Sequence, residues 1–468
     1  MKACIIGLDC LEPTLIAGWL DELPTFARLQ RAGVWGRMRS CVPPITVPAW
    51  SCMMSSHDPG SLGIYGFRNR TDYSYTGLGF ATSDWVKADR LWDVVSAAGK
   101  TCSVLGVPGT FPVRPVNGQM VSCFLTPSQK SDWSYPSQLK GEIGSWLGGQ
   151  EYIFDVVDFR TKDKTRVLAD IETMTTRRFT VAREMLRKYS PDFFMMVEMG
   201  SDRIHHGFWH YMDPNHRKYE PGPLSQAIHD YYLQLDREIA QLLDSIDFDE
   251  TAVLLVSDHG AKRLDGGVCI NEWLRREGYL VLKTPPPQAG TPLAKCDIDW
   301  SRTRAWGEGG YYARVCLNVK GREPQGVIDP ADFETVRDEL ASKLKAIPDD
   351  QGRPMPTEAL VPEEIYRRVQ GIAPDLIVIF GDLIWRAVGT LGYDGIYTYE
   401  NDTGPDEANH AQYGYYNLIA PGLPAQTGSS DVDILDIAPT MLSLLGVTVP
   451  PQMQGRVLPF AREHQAVS

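Results

Sequence analysis

The chain has 468 residues, of which 43% are hydrophobic and 22% charged, and its formal net charge is −13. This length allows a large core with two or three domain-sized units, or one α/β domain with insertions. The acidic balance argues against a nucleic-acid polymer as partner, because such a contact requires a basic surface. A small anionic substrate stays compatible with it, because the local charge of the site decides that affinity.

Cysteine usage and hydropathy indicate the compartment. Nine cysteines are scattered along the chain without a CxxC pair, and several lie in apolar runs, where reduced thiols are usual. The first residues, MKACIIGLDC, lack the long apolar segment of a signal peptide. No apolar run approaches the ~18 residues that a membrane span needs. We therefore expect a cytoplasmic protein without a membrane span; the pattern does not predict an oligomeric state.

Apolar runs of strand length alternate with helical patterns along the first 260 residues. The runs lie at 3–8, 102–107, 192–199 and 251–258, and the two longest helical patterns lie at 167–189 and 225–246. Short strands that are apolar on both faces and alternate with helices are typical of a mainly parallel sheet with helices on both sides. The pattern predicts an α/β fold.

The stretch VPPITVPAWSCMM, residues 42–54, predicts a loop followed by a helix. The Pro43-Pro44 pair favours extended backbone, and Pro48 fits a first helical turn, where the missing N–H has no cost. Thr46 then lies at the helix N-terminus, where free N–H groups and the helix dipole favour an anion. Two interpretations follow, an N-cap or a functional residue.

A second region interrupts the alternation. The stretch KTPPPQAGTP (283–292) breaks it, 311–321 alternates like an antiparallel strand, and 331–347 is an amphipathic helix. We predict an inserted α+β cap subdomain at about 280–370, within a core formed by 1–279 and 371–468. The run DLIVIF (375–380) is expected to resume the core, and a helix is expected to end it at Gly446.

Polar residues follow three of the predicted strands. In open α/β sheets, ligands bind beyond the carboxyl ends of the strands. The candidate ligands are Asp9 after the first run, Asp202 and His206 after the third, Asp258 and His259 after the fourth, and His410 in a later loop. Three strand ends of this kind in one chain predict a common site.

These side chains together with Thr46 could hold two metal ions. Imidazole and carboxylate are usual ligands of Zn²⁺ and also suit Mn²⁺. Two cations can clamp a phosphoryl group, and a metal-bound threonine hydroxyl becomes a usable nucleophile. One alternative concerns the third histidine, because His210 shares a helix face with Asp202 and His206 and competes with His410.

The motifs together resemble the alkaline phosphatase superfamily, specifically its nucleotide pyrophosphatase/type I phosphodiesterase branch. The matching pieces are GLD (7–9), PPITVPAW (43–50), DRIHHG (202–207), SDHG (257–260) and the late Asn409-His410 pair. They occur in the family's order. The resemblance implies a large mixed, mainly parallel sheet sandwiched between helices, and two divalent metal ions, preferably Zn²⁺ with Mn²⁺ as the second choice.

The resemblance also implies roles. Asp9, Thr46, Asp258 and His259 would surround one metal, and Asp202, His206 and His410 would hold the other. Thr46 would attack phosphorus and form a phospho-threonine, which water then hydrolyses. The implied activity is hydrolysis of a small phosphate ester, of the phosphodiester or nucleotide pyrophosphate type. The alternatives are a phosphomonoesterase, a phosphomutase, or a non-catalytic binding relative.

The sequence departs from the family pattern twenty-one residues after the threonine. An asparagine of the family that holds phosphoryl oxygens is replaced here by Phe67, which cannot donate a hydrogen bond. Arg68 and Asn69 are the candidate substrate-binding replacements, with Arg70 or the helix N–H groups as further possibilities.

Overall fold

The computed structural model describes residues 1–425 and 429–461. The last residues of the predicted core segment, 462–468, lie outside the described residues. In chain order, the strands are β1 (Lys2–Leu8), β2 (Val34–Arg39), β3 (Arg68–Arg70), β4 (Leu78–Phe80), β5 (Cys102–Leu105), β6 (Gly118–Val121), β7 (Ser134–Tyr135), β8 (Phe193–Glu198), β9 (Thr251–Val256), β10 (Gly260–Arg263), β11 (Gly266–Cys269), β12 (Ala305–Glu308), β13 (Ala313–Leu317), β14 (Glu358–Leu360), β15 (Leu376–Ile379), β16 (Trp385–Val388), β17 (Tyr397–Thr398), β18 (Ala408–Ala411), β19 (Tyr413–Ile419) and β20 (Val432–Asp433).

The α-helices are numbered in the same way. They are α1 (Pro13–Trp19), α2 (Pro24–Ala32), α3 (Thr46–Ser55), α4 (Pro59–Leu62), α5 (Leu91–Ala97), α6 (Leu139–Trp146), α7 (Lys164–Tyr189), α8 (Gly200–Met212), α9 (Ala227–Leu243), α10 (Ile270–Arg276), α11 (Phe333–Lys345), α12 (Pro362–Ile365) and α13 (Ile437–Leu444).

A nine-stranded sheet forms the centre of the molecule. Its order is β20-β2-β19-β9-β1-β8-β5-β6-β7. Five of its eight pairings are parallel, and β19 and β7 supply the antiparallel ones. The predicted large mixed, mainly parallel sheet is therefore confirmed. Because β9, β1 and β8 are neighbours and parallel, their carboxyl ends lie side by side.

Helices cover both faces of this sheet. Strands β8 and β9 are buried along their whole length, and β1 is buried from its second residue onward. One helical layer contains α7, α8 and α9, which pack on one another, and α3 packs with α13. Helix α7 begins where the Asp163 side chain accepts the Arg166 N–H and ends at Ser190 in the left-handed conformation. The predicted sandwich follows from strands with two apolar faces.

A second hydrophobic cluster lies outside the main core and extends from Val268 to Leu391. It is built around a four-stranded sheet, β12-β13-β15-β14, and a three-stranded sheet, β16-β11-β17. The predicted strand at 311–321 and helix at 331–347 are present as β13 and α11. The bounds of 280–370 for an inserted subdomain stay a prediction.

The placement of DLIVIF in the main sheet was wrong. This run forms β15, which pairs antiparallel with β13 and β14 in the smaller sheet. All four residues of β15 are apolar and buried, as in a central strand of the main sheet. The composition of the run therefore does not reveal which sheet it joins. The main sheet resumes with β19.

Among residues 1–425 and 429–461, no helix combines the length and hydropathy required to cross a lipid bilayer.

Candidate active site

The site lies at the carboxyl ends of β1, β8 and β9. Asp9 directly follows β1, Asp202 lies in the first turn of α8 after β8, and Asp258 and His259 follow β9. These four side chains are at most 2% exposed. The parallel order β9-β1-β8 brings them together, as expected for ligands beyond the ends of parallel strands.

Thr46 is the first residue of α3 and faces this group. Its Oγ1 lies 3.4 Å from Asp9 Oδ1 and 3.3 Å from His259 Nε2. The N-cap position is occupied by Ile45, and no side chain caps this helix end. The interpretation of Thr46 as an N-cap is therefore wrong: its hydroxyl points to the strand ends, and the first amides of α3 have no partner within the helix.

The same helix holds Asp9 in place. Trp50 Nε1 donates to Asp9 Oδ2 over 2.7 Å, and Trp50 is fully buried. A Cβ atom at Gly7 would lie 2.5 Å from the Trp50 ring, so the glycine of the GLD motif is required for this close approach.

The first group of metal-ligand atoms belongs to Asp9, Asp258 and His259, all within 4.8 Å of one another. His259 Nε2 lies 3.2 Å from Asp258 Oδ2 and 3.9 Å from Asp9 Oδ1. Asp258 Oδ2 is buried and accepts no hydrogen bond from any described residue. A buried carboxylate oxygen without a donor is costly, and a cation would satisfy it.

The second group contains Asp202, His206 and His410. His206 Nε2 lies 3.2 Å from Asp202 Oδ1 and 3.3 Å from His410 Nε2, and the remaining edge measures 3.6 Å. A tetrahedral zinc site with bonds of about 2.0–2.2 Å has ligand-to-ligand spacings of about 3.3–3.6 Å. Asp202 Oδ1 also lacks a hydrogen-bond donor among the described side chains and amides. The triangle therefore fits one ion.

His410 reaches the site on β18, where it pairs with Ala261 of β10. Its ring stacks on that of His259 at 3.8 Å, and Asp202, His259 and His410 also form a group with ligand atoms within 4.8 Å. The two groups are thus contiguous. The alternative histidine, His210, lies elsewhere, with its ring beside Tyr211 and His216.

Four residues that the sequence analysis did not predict orient the side chains of the second ligand group. His206 Nδ1 lies 2.6 Å from Asp406 Oδ1, and Arg160 Nε donates to the other oxygen of Asp406 over 2.9 Å. Arg203 pairs with Asp202 and, in a bidentate manner, with Asp155. A carboxylate behind a ligating histidine fixes the tautomer and the ring orientation.

The electrostatics differ between the two groups of carboxylates. Burial, and then repulsion by Asp202, raises the pKa of Asp9 well above its usual value. Burial and the charge of Asp9 do the same for Asp258. The pKa of Asp202 falls well below its usual value, because the charges of His206 and Arg203 outweigh burial. Burial lowers the pKa of His259 and of His410, which favours neutral, metal-binding imidazoles.

A cleft of about 470 Å³ opens in front of Thr46, Asp202 and His410. One wall is the β12–β13 hairpin of the second hydrophobic cluster, whose Tyr311 hydroxyl lies 3.2 Å from His206 Nε2. Phe67 and Arg68 also line the cleft. The hairpin thus supplies a wall that the main sheet does not.

The candidate substrate-binding residues separate into two kinds. Arg68 lines the cleft, whereas Asn69 is buried, accepts from the Tyr65 amide and donates to the Gly66 carbonyl. The assignment of Asn69 to substrate is therefore wrong, because its amide is used within its own turn. Arg70 pairs with Glu323 instead of facing the cleft.

Sequence reasoning did not assign Trp50, Asp406 or Tyr311 to the site, and among the arginines that line the cleft it named only Arg68. Trp50 had a usable signal, since it lies one helical turn after Thr46 and so shares its face. Asp406 lies four residues before His410 in a loop-like stretch, and Tyr311 lies in the hairpin. Neither position shows a local pattern that separates it from an ordinary loop residue.

Comparisons with known proteins agree with this architecture. The phosphonoacetate hydrolase of Sinorhizobium meliloti 1021 superposes with a TM-score of 0.59 and 16% identity, over 96% of this chain and 95% of that one. The murine ectonucleotide pyrophosphatase/phosphodiesterase 5 gives 0.57 and 14%, over 96% of both chains. The human form gives 0.57 and 14%, over 99% of both chains. At these identities the similarity establishes the fold.

No curated protein sequence matches the chain significantly. A family model does: that of the type I phosphodiesterases and nucleotide pyrophosphatases matches residues 3–406, which contain every strand end of the site. The chain therefore belongs to the type I phosphodiesterase/nucleotide pyrophosphatase family.

Proposed function

We propose that this protein is a metal-dependent phosphoester hydrolase with Thr46 as its nucleophile and two divalent cations at the strand ends. Family membership supports the broader class, a metal-dependent hydrolase of phosphate esters. The observation that carries the finer proposal is the position of the Thr46 hydroxyl. It lies at a helix N-terminus, within 3.4 Å of Asp9 and 3.3 Å of His259, and it borders the cleft.

The donor atoms fit two cations. Asp9, Asp258, His259 and Thr46 would hold one, and Asp202, His206 and His410 the other. The mixture of imidazole and carboxylate favours Zn²⁺, with Mn²⁺ second. When bound, the cations supply Lewis-acid charge that polarises phosphoryl oxygens and favours the alkoxide form of a hydroxyl.

The protein groups then divide the reaction into two steps. Thr46 Oγ1 attacks phosphorus while the bond to the leaving oxygen breaks, and the threonine proton is lost to solvent. The free amides at the start of α3 can donate to phosphoryl oxygens. They would replace the hydrogen bond that Phe67 cannot donate. Water then attacks the phospho-threonine, which releases the phosphoryl product and restores the hydroxyl.

The proposed substrate is a small phosphate ester of the diester or pyrophosphate type. A phosphomonoesterase or a phosphomutase would use the same two groups of metal ligands, so both stay alternatives. Measured turnover would exclude the third alternative, a non-catalytic binding relative. We place the protein in the cytoplasm. The unpaired state of all nine cysteines is compatible with that proposal.

The decisive experiment combines metal removal with trapping of the intermediate. Protein treated with EDTA should lose hydrolysis of bis-p-nitrophenyl and mono-p-nitrophenyl phosphate, and Zn²⁺ or Mn²⁺ should restore it. Rapid acid quenching followed by mass spectrometry should find the trapped adduct on the peptide that contains Thr46, as phosphate from the monoester and as p-nitrophenyl phosphate from the diester. The ratio of the two rates separates diesterase from monoesterase. Full turnover without metal, or a modification at any other residue, would contradict the proposal.

A further inference from the structure

The cleft contains a buried guanidinium without an adequate partner. Arg386 is 6% exposed and lines the cleft together with Thr46 and His410. Its Nε and Nη1 atoms are buried, and they donate no hydrogen bond to a described residue. A buried cation without hydrogen bonds is costly, so the position of Arg386 requires an explanation.

The neighbouring carboxylates do not satisfy it. Asp402 Oδ1 lies 3.7 Å from Arg386 Nη2, and Asp406 Oδ2 lies 3.8 Å from Nη1. Both distances exceed those of hydrogen bonds. Asp406 is also already used, because it faces His206 with one oxygen and accepts from Arg160 with the other. The two carboxylates balance charge in the region but leave the Arg386 donors free.

Arg386 is close to the reacting centre. Its Cζ lies 5.7 Å from the ring centre of Tyr311. The Tyr311 ring in turn lies 4.2 Å from that of His410, and its hydroxyl is 3.2 Å from His206 Nε2. One aromatic ring thus separates the guanidinium from the second ligand group. Thr46 and Arg386 line the same cleft, so one ligand can contact both.

The rest of the cleft is also rich in positive charge. Among the described residues, more arginines than carboxylates line it, and one of the carboxylates, Asp202, belongs to the metal-ligand set. The arginines are Arg68, Arg160, Arg203, Arg314 and Arg386, and the carboxylates are Asp155, Asp202 and Glu308. Arg203 and Arg160 are neutralised by the ion pairs described above. The Arg68 guanidinium makes no hydrogen bond to a described residue and stacks over Phe80 at 4.9 Å.

We propose that the substrate carries a second anionic group, a carboxylate or another phosphoryl, that Arg386 binds while the reacting phosphoryl group lies at Thr46. The inference deepens the proposed function and rests on it for the position of the phosphoryl group. Arg68 is exposed at the same cleft and adds a further positive charge that attracts such a dianionic substrate. The chemistry required is a charged hydrogen bond from a planar guanidinium, which suits carboxylate and phosphate equally.

The test uses binding, so that it does not depend on turnover. Isothermal titration calorimetry on metal-loaded Thr46→Ala protein compares ethyl phosphate with carboxymethyl phosphate, which differ by a methyl and a carboxylate group. We expect carboxymethyl phosphate to bind about 10- to 100-fold more tightly, as for one charged hydrogen-bonded pair. Inorganic pyrophosphate against inorganic phosphate repeats the comparison with a second phosphoryl group and distinguishes the two anions.

Variants of Arg386 test whether this residue causes the preference for the dianionic ligand. Adding Arg386→Met should reduce the ratio to within about threefold of unity, and Arg386→Lys should restore part of it. The matched control is Arg37→Met, which removes an exposed arginine paired with Asp431 and should keep the ratio. A preference that persists in Arg386→Met, or is absent from the parent for both anions, overturns the inference. Failure of the wild-type protein to turn over any ester counts against the proposed function alone.

Discussion

The two sides of the cleft are built differently. On the sheet side, Asp9, Asp202 and Asp258 follow three adjacent parallel strands and are at most 2% exposed. On the opposite side, the wall comes from the β12–β13 hairpin, from β16 and from the segment around Arg68 and Phe80. Phe80 is 53% exposed. One side is fixed by the main core, and the other is attached to a separate hydrophobic cluster.

This difference indicates that the two sides have separate roles, catalysis at the sheet edge and substrate selection at the opposite wall. Groups that must meet a reacting phosphorus within a few tenths of an ångström belong on the rigid sheet edge. Groups that select the rest of the substrate belong on a wall that can vary without disturbing the core. Changes at the sheet edge should therefore reduce turnover of every substrate, whereas changes on the wall should alter the preference among substrates.

The largest effect is expected at Thr46. Thr46→Ala should lower kcat by at least about a thousandfold on every ester, because it removes the nucleophile. Stability should change by less than about 1 kcal/mol, since this hydroxyl caps no helix. Thr46→Ser should keep partial activity, because the hydroxyl remains but loses the methyl group that limits its rotamers. Steady-state kinetics with saturating metal and thermal melts measure both.

The same helix provides the control for this prediction. Ser51→Ala removes another buried hydroxyl of α3, one that donates to the Val47 carbonyl, and should leave kcat within a few fold. A Thr46→Ala protein within tenfold of the wild-type rate would mean that water attacks phosphorus directly.

The second-largest effect is expected for Asp406→Asn. Its carboxylate faces His206 Nδ1 at 2.6 Å, and loss of such a partner typically costs 10–100-fold in metal affinity or activity. Competition with a chromophoric chelator should show one weakened metal and one unchanged metal. Asp265→Asn, which disturbs only a pair with Arg263, is the control. Equal weakening of both metals would show that Asp406 supports the whole loop and not one ligand.

A smaller effect is expected on the wall. Tyr311→Phe removes a hydroxyl that lies near His206 and accepts from Arg160 over 2.7 Å. One hydrogen bond is worth about 0.5–1.5 kcal/mol, so kcat/KM should fall about 2- to 13-fold, mainly through KM. In Tyr312→Phe the lost hydroxyl donates to the Tyr65 carbonyl, so the melting temperature should fall while KM stays constant. The reverse pattern would contradict the division between the two sides.

The residues at the sheet edge could be predicted from the sequence. Strands with two apolar faces that end in aspartate or histidine predict both a parallel sheet and the location of its polar side chains. The structure brings Asp9, Asp202, Asp258 and His259 together as that pattern predicts. Chain order and strand chemistry carry this information, because adjacent parallel strands place their carboxyl ends at one edge.

The wall was not accessible in this way. Residues 160, 311 and 386 meet only through the packing of the smaller sheets, and their local sequences match ordinary loops or edge strands. The run DLIVIF shows the same difficulty, since a strand buried on both faces fits either sheet. Asn69 failed for a local reason: a turn used both ends of its amide. Tertiary pairing decided each of these positions.

The smallest expected effect, a pH dependence of the metal-free protein, tests whether charge or packing holds the sheet edge. Burial lowers the pKa of His206, but the charges of Asp406 and Asp202 outweigh it and raise the pKa to about 9. A histidine with a raised pKa contributes stability that is fully present below its unfolded pKa of about 6.5 and is lost as the pH rises through the folded value.

Four other titratable groups at the sheet edge either act in the same direction or titrate elsewhere. The raised pKa values of Asp9 and Asp258 also make stability fall as the pH rises through their folded values. The lowered pKa values of His259 and His410 place their titration below pH 6.5, outside the range tested.

We therefore expect the melting temperature of EDTA-treated protein to fall by a few degrees between pH 6.5 and pH 9, equivalent to about 1–3 kcal/mol. His206→Gln should reduce that slope to the part that Asp9 and Asp258 contribute, whereas His229→Gln, which changes a histidine beside Glu22 and away from the site, should keep it. Bound metal should flatten the slope in the wild type, because a cation then replaces the proton as the partner of the carboxylates. If the metal-free protein has the same melting temperature at both pH values, packing alone holds the sheet edge, and the strand-end carboxylates contribute no net repulsion for a cation to relieve.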